Sequence, residues 1–247
     1  MWYKKLMFRK MCPACGTQSL SHDEQSVFCT HCPIYRVPLA WYLRPFVWAR
    51  NRQWWWRLPL VAWFALVLAD NLKSNEYALN RLQNPLSALD YGIHELGHFI
   101  FALTGEFMTI LGGSLFQCLF PLLWMFGFLQ KKWYFAASLC WCWLGLNLFD
   151  VAMYAGDARA RLLPLVGPGS YGADPTDPTS YDKMHDWYQL LNRTGHLDSD
   201  LVIAHGLRVA AVVCFVVGLA LAGMLMVQMF YGTMKRFRKT PQGLDQN

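Results

Sequence analysis

Five consecutive residues, His94-Glu95-Leu96-Gly97-His98, carry the most informative chemical pattern in the chain. Residues four apart lie on one face of an α-helix, so His94 and His98 can present two imidazole nitrogens to one metal ion. Glu95 then lies beside the metal, where its carboxylate can take a proton from a water molecule. The flanking residues are apolar, and ionisable groups at membrane depth are energetically expensive. The motif therefore predicts a catalytic zinc site in a membrane-embedded segment.

Two histidines rarely hold a catalytic zinc without a third protein ligand and an open position for water. The residues themselves offer three candidates for the third ligand: Asp150, Asp157 and His185. The two aspartates are seven residues apart, so they lie on nearly one face if their helix continues that far. Depth in the membrane favours Asp150, which is closer to the apolar segment. The residues alone therefore leave open which of the three is the third ligand.

Four cysteines near the N-terminus form a second candidate metal site: Cys12, Cys15, Cys29 and Cys32. Each C-x-x-C pair makes a tight turn that directs two thiolates at one point, and two such pairs complete a tetrahedral site. The spacing, with Gly16 after the first pair, resembles a zinc ribbon over residues 1–38 that holds one structural zinc. Disulfides are the alternative, but the basic flanks favour a reducing, cytosolic side. The ribbon is either a folding element or a docking site for a cytosolic protein partner.

The composition predicts an all-α, multi-pass membrane protein with a small soluble appendage. The 247 residues are 55% hydrophobic and only 15% charged, whereas soluble domains have about 25% charged residues. Arginines alternate with tryptophans in a juxtamembrane collar, residues 39–57, which suits the lipid headgroups. The net charge of +6 is spread around apolar segments, so membrane lipid is a more suitable partner than nucleic acid.

Five apolar segments follow the collar, within a predicted membrane-embedded domain of residues 58–232: Leu58–Ala69, Tyr91–Leu103, Ile110–Leu129, Trp133–Phe149 and Val209–Val227. Either all five cross, or four cross and the short histidine segment enters as a buried half-span. We favour four spans plus a half-span. That arrangement puts the ribbon, Lys131-Lys132 and a basic tail of residues 233–247 in the cytosol, as the positive-inside rule expects of a plasma (inner) membrane protein.

Two further segments allow opposing interpretations. Gly112-Gly113-Ser114 either forms an irregular edge that pairs with an extended substrate or lets two helices pack closely. His185-Asp186-Trp187, after a loop rich in Pro, Gly and Asp, is either a lid over the site or a surface segment.

Residues 88–161 resemble the site-2 protease family of intramembrane zinc metalloproteases. That family carries H-E-x-x-H in one membrane segment and takes an aspartate ligand from a later segment that begins with an asparagine. Here the matching residues are His94 to His98, then Asn147-Leu148-Phe149 followed by Asp157. The resemblance implies that Asp157 is the third zinc ligand and that Glu95 is the catalytic base.

Two functions from different classes follow from these patterns. The first is a zinc metalloprotease that hydrolyses a peptide bond in a membrane-spanning or membrane-adjacent substrate. The second is a non-catalytic membrane adaptor that recruits a cytosolic partner through its ribbon.

Overall fold

The computed structural model describes residues 12–73, apart from 13, 16, 18–19, 24–25 and 33–35, together with residues 86–163, 182 and 184–237. Gly16, most of the loop before His185 and the tail beyond residue 237 therefore lie outside the described residues. The chain divides into two compact units. One comprises residues 1–58 and 223–247, and the other comprises residues 59–222.

The first unit contains a three-stranded antiparallel sheet in the order β1-β2-β3, formed by Leu20–His22, Ser26–Cys29 and Arg36–Pro38. Leu20 pairs with Cys29, and Phe28 pairs with Arg36. Strands this short bury little apolar surface, so the sheet needs another source of stability. The register sets Cys29 at the end of the central strand, beside the turn that carries Cys32.

The collar of the same unit folds into short helical turns. Helix α1 spans Arg44–Ala49, and 3₁₀ turns form at Trp41–Leu43 and Trp55–Arg57. Leu39, Leu43 and Val47 pack together on its inner side, while four aromatic side chains are exposed: Trp41, Tyr42, Trp55 and Trp56. Amphipathic rings of this kind favour the membrane–water interface.

The second unit is helical in the residues that the structure describes. Its helices are α2 (Leu58–Lys73), α3 (Ser87–Phe101), α4 (Glu106–Gln130), α5 (Tyr134–Gly156), α6 (Asp186–Thr194) and α7 (Asp200–Phe237). The last helix continues into the first unit beyond Ala222. Side chains from α2, α5 and α7 form the core of the second unit, with Phe149 and Phe215 fully buried at its centre.

Three stretches of described helix are long and apolar enough to cross a membrane: Glu106–Gln130, Tyr134–Gly156 and Leu197–Lys235. The prediction of a largely helical chain with several helices suited to a membrane is confirmed to this extent. Helix α3, which carries the histidine motif, has 15 residues. It therefore rises about 22 Å, less than the roughly 30 Å of a hydrocarbon core. The choice between four and five spans stays a prediction.

Helices α3 and α4 pack closely because each has a glycine at the crossing. A Cβ atom at Gly97 would overlap the carbonyl oxygen of Gly112, and a Cβ at Gly112 would lie 2.8 Å from the carbonyl oxygen of Gly97. Helix α4 runs unbroken through Gly112, Gly113 and Ser114. Of the two interpretations of this segment, close helix packing is the one observed.

This crossing gives a direct stability prediction. Gly97→Ala is expected to lower the free energy of unfolding by about 3 kcal/mol, the upper end for overpacking, because the new methyl group meets rigid backbone. Gly92→Ala, on the same helix with nothing within 4 Å of its Cβ position, is the matched control and is expected to be neutral or slightly stabilising. Thermal unfolding in detergent measures both. Equal melting temperatures for the two variants would contradict the close crossing.

Candidate metal centres

The structure brings the four N-terminal cysteines together, as their spacing predicts. Their sulfur atoms all lie within 4.8 Å of one another, and the Sγ–Sγ distances Cys12–Cys32 and Cys15–Cys29 are both 3.6 Å. Ligands 2.3 Å from a tetrahedral zinc are roughly 3.8 Å apart, whereas bonded sulfurs are about 2.05 Å apart. None of these four cysteines is in a disulfide bond. The donor set and spacing fit a closed, four-coordinate metal site.

Local hydrogen bonds favour the thiolate form that a metal requires. The backbone N–H groups of His31 and Cys32 donate to Cys29 Sγ at 3.4 and 3.3 Å. A hydrogen bond with Thr17 lowers the pKa of Cys15 from its ordinary value. Thiolates, not thiols, bind metals, so both effects stabilise the metal-binding state.

A second group forms around the histidine motif. His94 and His98 are on α3, and Asp186 is the first residue of α6. Oδ2 of Asp186 lies 3.0 Å from His94 Nε2 and 3.2 Å from His98 Nε2. Nitrogen and oxygen ligands of a tetrahedral zinc are roughly 3.3 Å apart, given bonds of about 2.0 Å. These distances fit three corners of such a site.

The outer nitrogens of both rings are already engaged. His94 Nδ1 donates to Gln117 Oε1 at 3.2 Å, and His98 Nδ1 donates to the Thr109 carbonyl at 2.8 Å. The Gln117 amide is oriented by its own bond to Asn147 Oδ1 at 3.1 Å. A neutral imidazole with its proton on Nδ1 directs a lone pair from Nε2. With both rings in this form, two lone pairs and the Asp186 carboxylate oxygen would face one another, an arrangement that requires a cation between them.

Gly113 lies directly against the two ring nitrogens. A Cβ atom at this position would lie 2.5 Å from His94 Nε2 and 2.6 Å from His98 Nε2. Any side chain at residue 113 would therefore overlap both nitrogens. The group has three candidate ligands, the number that catalytic zinc sites take from the protein, whereas the four-cysteine group has the four ligands of a structural site.

Glu95 lies beside this centre without belonging to the ligand group. It is half-buried, Tyr91 hydrogen-bonds to it one helical turn away, and Tyr91 also lies within electrostatic range of Asp186. His98 is within electrostatic range of Glu95 as well.

Asp157, which the family resemblance implied as third ligand, is held elsewhere. Its carboxylate accepts the backbone N–H groups of Leu162 and Leu163 at 2.8 and 3.1 Å and contacts His185 Nε2 at 3.4 Å. Neither Asp150 nor His185 joins the two histidines in the ligand group. In the geometry, Asp186 takes the place predicted for Asp157.

The sequence predicts Asp186 only as part of a lid or of a surface segment. His185 is fully buried, which rules out the surface interpretation of that side chain, and Trp187 Nε1 donates to Ser114 Oγ at 3.1 Å. The segment is thus packed onto α4 beside the histidines.

Comparisons with family models, with curated proteins and with solved structures find no significant match for this chain.

Proposed function

We propose that the chain is a membrane-embedded zinc metalloprotease that cuts a peptide bond in a membrane-spanning or membrane-adjacent protein. One observation carries the proposal: Nε2 of His94, Nε2 of His98 and Oδ2 of Asp186 lie close enough together to bind one metal ion. Glu95, the acid-base residue of the H-E-x-x-H pattern, is on the same helix directly after His94. Both termini face the cytosol of an inner membrane in this proposal, and α3 is the half-span.

The protein groups have separate duties in this reaction. His94, His98 and Asp186 would hold the metal, while Gln117 and Thr109 fix the two rings through Nδ1. A zinc ion held there supplies Lewis acidity, lowering the pKa of a bound water and polarising a substrate carbonyl. Glu95 accepts a proton from the attacking water and then donates it to the leaving amine.

Glu95→Gln tests the proposal because it removes the base but keeps an oxygen that can accept from Tyr91. Loss of a general base lowers rates by 10²–10⁴-fold, so we expect at least about a hundredfold fewer cleavage products with zinc content unchanged. The measurement compares new N-termini in membrane proteins of cells that express either the parent chain or the variant. Chelator treatment is expected to have the same effect as the variant.

Glu106→Gln is the matched control, since Glu106 is exposed and only pairs with Arg193 at 2.6 Å. Its cleavage products should equal those of the parent chain. If cells with a folded Glu95→Gln protein contain the same new N-termini as cells with the parent chain, the protease proposal is refuted.

A second candidate, the membrane adaptor, is favoured by one specific observation. The four-cysteine group offers no open corner and therefore has a structural, not a catalytic, arrangement. In this alternative the ribbon recruits a cytosolic protein and the histidine centre is a structural metal site.

A further inference from the structure

Two buried side chains next to the histidine centre have no part in the chemistry proposed so far. Asp157 and His185 are both fully buried, and His185 Nε2 lies 3.4 Å from Asp157 Oδ2. His185 directly precedes the ligand Asp186. We propose that Asp157 is a positioning residue that sets the place of Asp186 through His185. This inference rests on the proposed metal centre and deepens it.

Asp157 is a firm anchor because the chain after α5 wraps around it. The carboxylate receives two successive backbone N–H groups, and the Asp157 carbonyl accepts the N–H of Arg161 at 2.8 Å. Arg161 adopts a left-handed conformation, φ 54°, which a non-glycine residue keeps only when its surroundings enforce it. The turn is thus shaped to present these donors to the carboxylate.

The charge on Asp157 is maintained without any metal. Burial raises the pKa of this carboxyl, but the hydrogen bonds from His185 and from the backbone of Leu162 and Leu163 outweigh burial and lower the pKa. An ionised, buried carboxylate satisfied by fixed donors holds those donors strongly. The Asp157 side chain is therefore fixed in place whether or not a cation is bound at Asp186.

His185 transmits the anchor to Asp186. Its Nδ1 accepts the N–H of Tyr188 at 3.2 Å and so caps α6, which leaves Nε2 with the proton that faces Asp157. Each ring nitrogen thus has a defined role: Nε2 fixes the side chain to the turn after α5, and Nδ1 fixes the start of α6. Asp186 lies between these two attachments.

Tyr154 secures the same segment from the other side. Its hydroxyl accepts the backbone N–H of Asp186 at 3.0 Å and donates to the carbonyl of Met184 at 3.4 Å. The rings of Tyr154 and His185 lie 4.5 Å apart, centre to centre. The main chain on both sides of the ligand is therefore attached to α5 and to the turn that follows it.

The test measures metal affinity in the full-length protein in detergent, by competing zinc against a chelator and by titrating Co²⁺. Outer-sphere partners of metal ligands typically contribute 10–100-fold to affinity. Asp157→Asn is expected to weaken the histidine centre by that factor and leave the four-cysteine site unchanged. At saturating Co²⁺ its visible spectrum should match that of the parent chain, because the ligands are the same. Asp186→Asn should change the spectrum.

Asp198→Asn is the matched control, because that side chain is fully exposed and only contacts Arg159 at 3.6 Å. This variant should bind zinc and Co²⁺ with the same affinities as the parent chain does. A changed cobalt spectrum in Asp157→Asn together with an unchanged one in Asp186→Asn would make Asp157 the ligand and overturn the inference. Parent-like affinity in Asp157→Asn would overturn it too.

A second variant covers the case in which Asp157→Asn does not fold. Tyr154→Phe removes one hydroxyl and should weaken the histidine centre several-fold with the cobalt spectrum retained; unchanged affinity would overturn the inference. A parent chain that binds only one metal would instead refute the metal centre itself, so the two failures are distinguishable.

Discussion

Gly113→Ala is expected to abolish metal binding at the histidine centre, so that bound zinc falls from two ions per chain to one. The new methyl group would lie 2.5–2.6 Å from the Nε2 atoms of His94 and His98, too close for the two rings to keep their positions around a metal ion. Zinc–nitrogen bonds are about 2.0–2.1 Å long. The expected loss of affinity is therefore more than about 100-fold, beyond the 10–100-fold typical of outer-sphere changes.

Metal analysis of the purified protein measures this effect, and Gly127→Ala is its matched control. Gly127 is on the same helix, and nothing lies within 4 Å of its Cβ position, so this variant should keep two ions. Cleavage should disappear only in Gly113→Ala. Two tightly bound ions in a folded Gly113→Ala protein would show that the metal does not occupy the space between the histidines.

Local spacing predicted those parts of the two sites that lie close together in the chain. The C-x-x-C pairs constrain their own thiolates, and a helix fixes residues four apart on one face, so both the cysteine group and the His94–His98 pair follow from sequence. The prediction of buried, apolar helices rests on composition in the same way. Neither inference requires knowledge of how distant segments pack.

The carboxylate that lies beside the two histidines required such knowledge and was not predictable from spacing. Asp186 is 92 residues after His94, and nothing local distinguishes it from Asp150 or Asp157. The resemblance favoured Asp157, whose carboxylate instead organises the turn at Leu162 and Leu163. Whether a buried carboxylate is available to a metal depends on whether its oxygens already accept backbone N–H groups. The fold, not the local sequence, determines this.

Gly113 is a second residue whose contacts could not be predicted from local sequence. Its sequence neighbours suggested either a substrate edge or close helix packing, and Gly112 does serve the packing against Gly97. Gly113 instead lies directly against the Nε2 atoms of His94 and His98, a contact that appears only when α3 and α4 are placed together. A glycine pair in a membrane helix can therefore combine two unrelated roles, and sequence alone assigns neither.

Cys29→Ser is expected to remove the other metal ion and unfold the N-terminal sheet. Cys29 is buried at the end of β2 and belongs to the four-sulfur group. Structural zinc contributes about 10–16 kcal/mol in small zinc-binding peptides, more than strands of three or four residues can replace. Zinc should again fall from two ions to one, here with rapid proteolysis of residues 12–38. Cys118→Ser, at a half-buried cysteine in α4, should change neither.

A comparison of Cys29→Ser with Glu95→Gln separates the two proposed functions. A protease needs Glu95 at the reacting molecule, so a folded Glu95→Gln protein should lose cleavage while its ribbon and both metals remain. An adaptor needs the ribbon surface instead, so Cys29→Ser should abolish its activity in the cell and Glu95→Gln should leave that activity intact. Because the cysteine group has the four ligands of a structural site and the histidine group has three, with Glu95 directly after His94 on the same helix, we expect the protease pattern: full dependence on Glu95, which an adaptor has no physical reason to require.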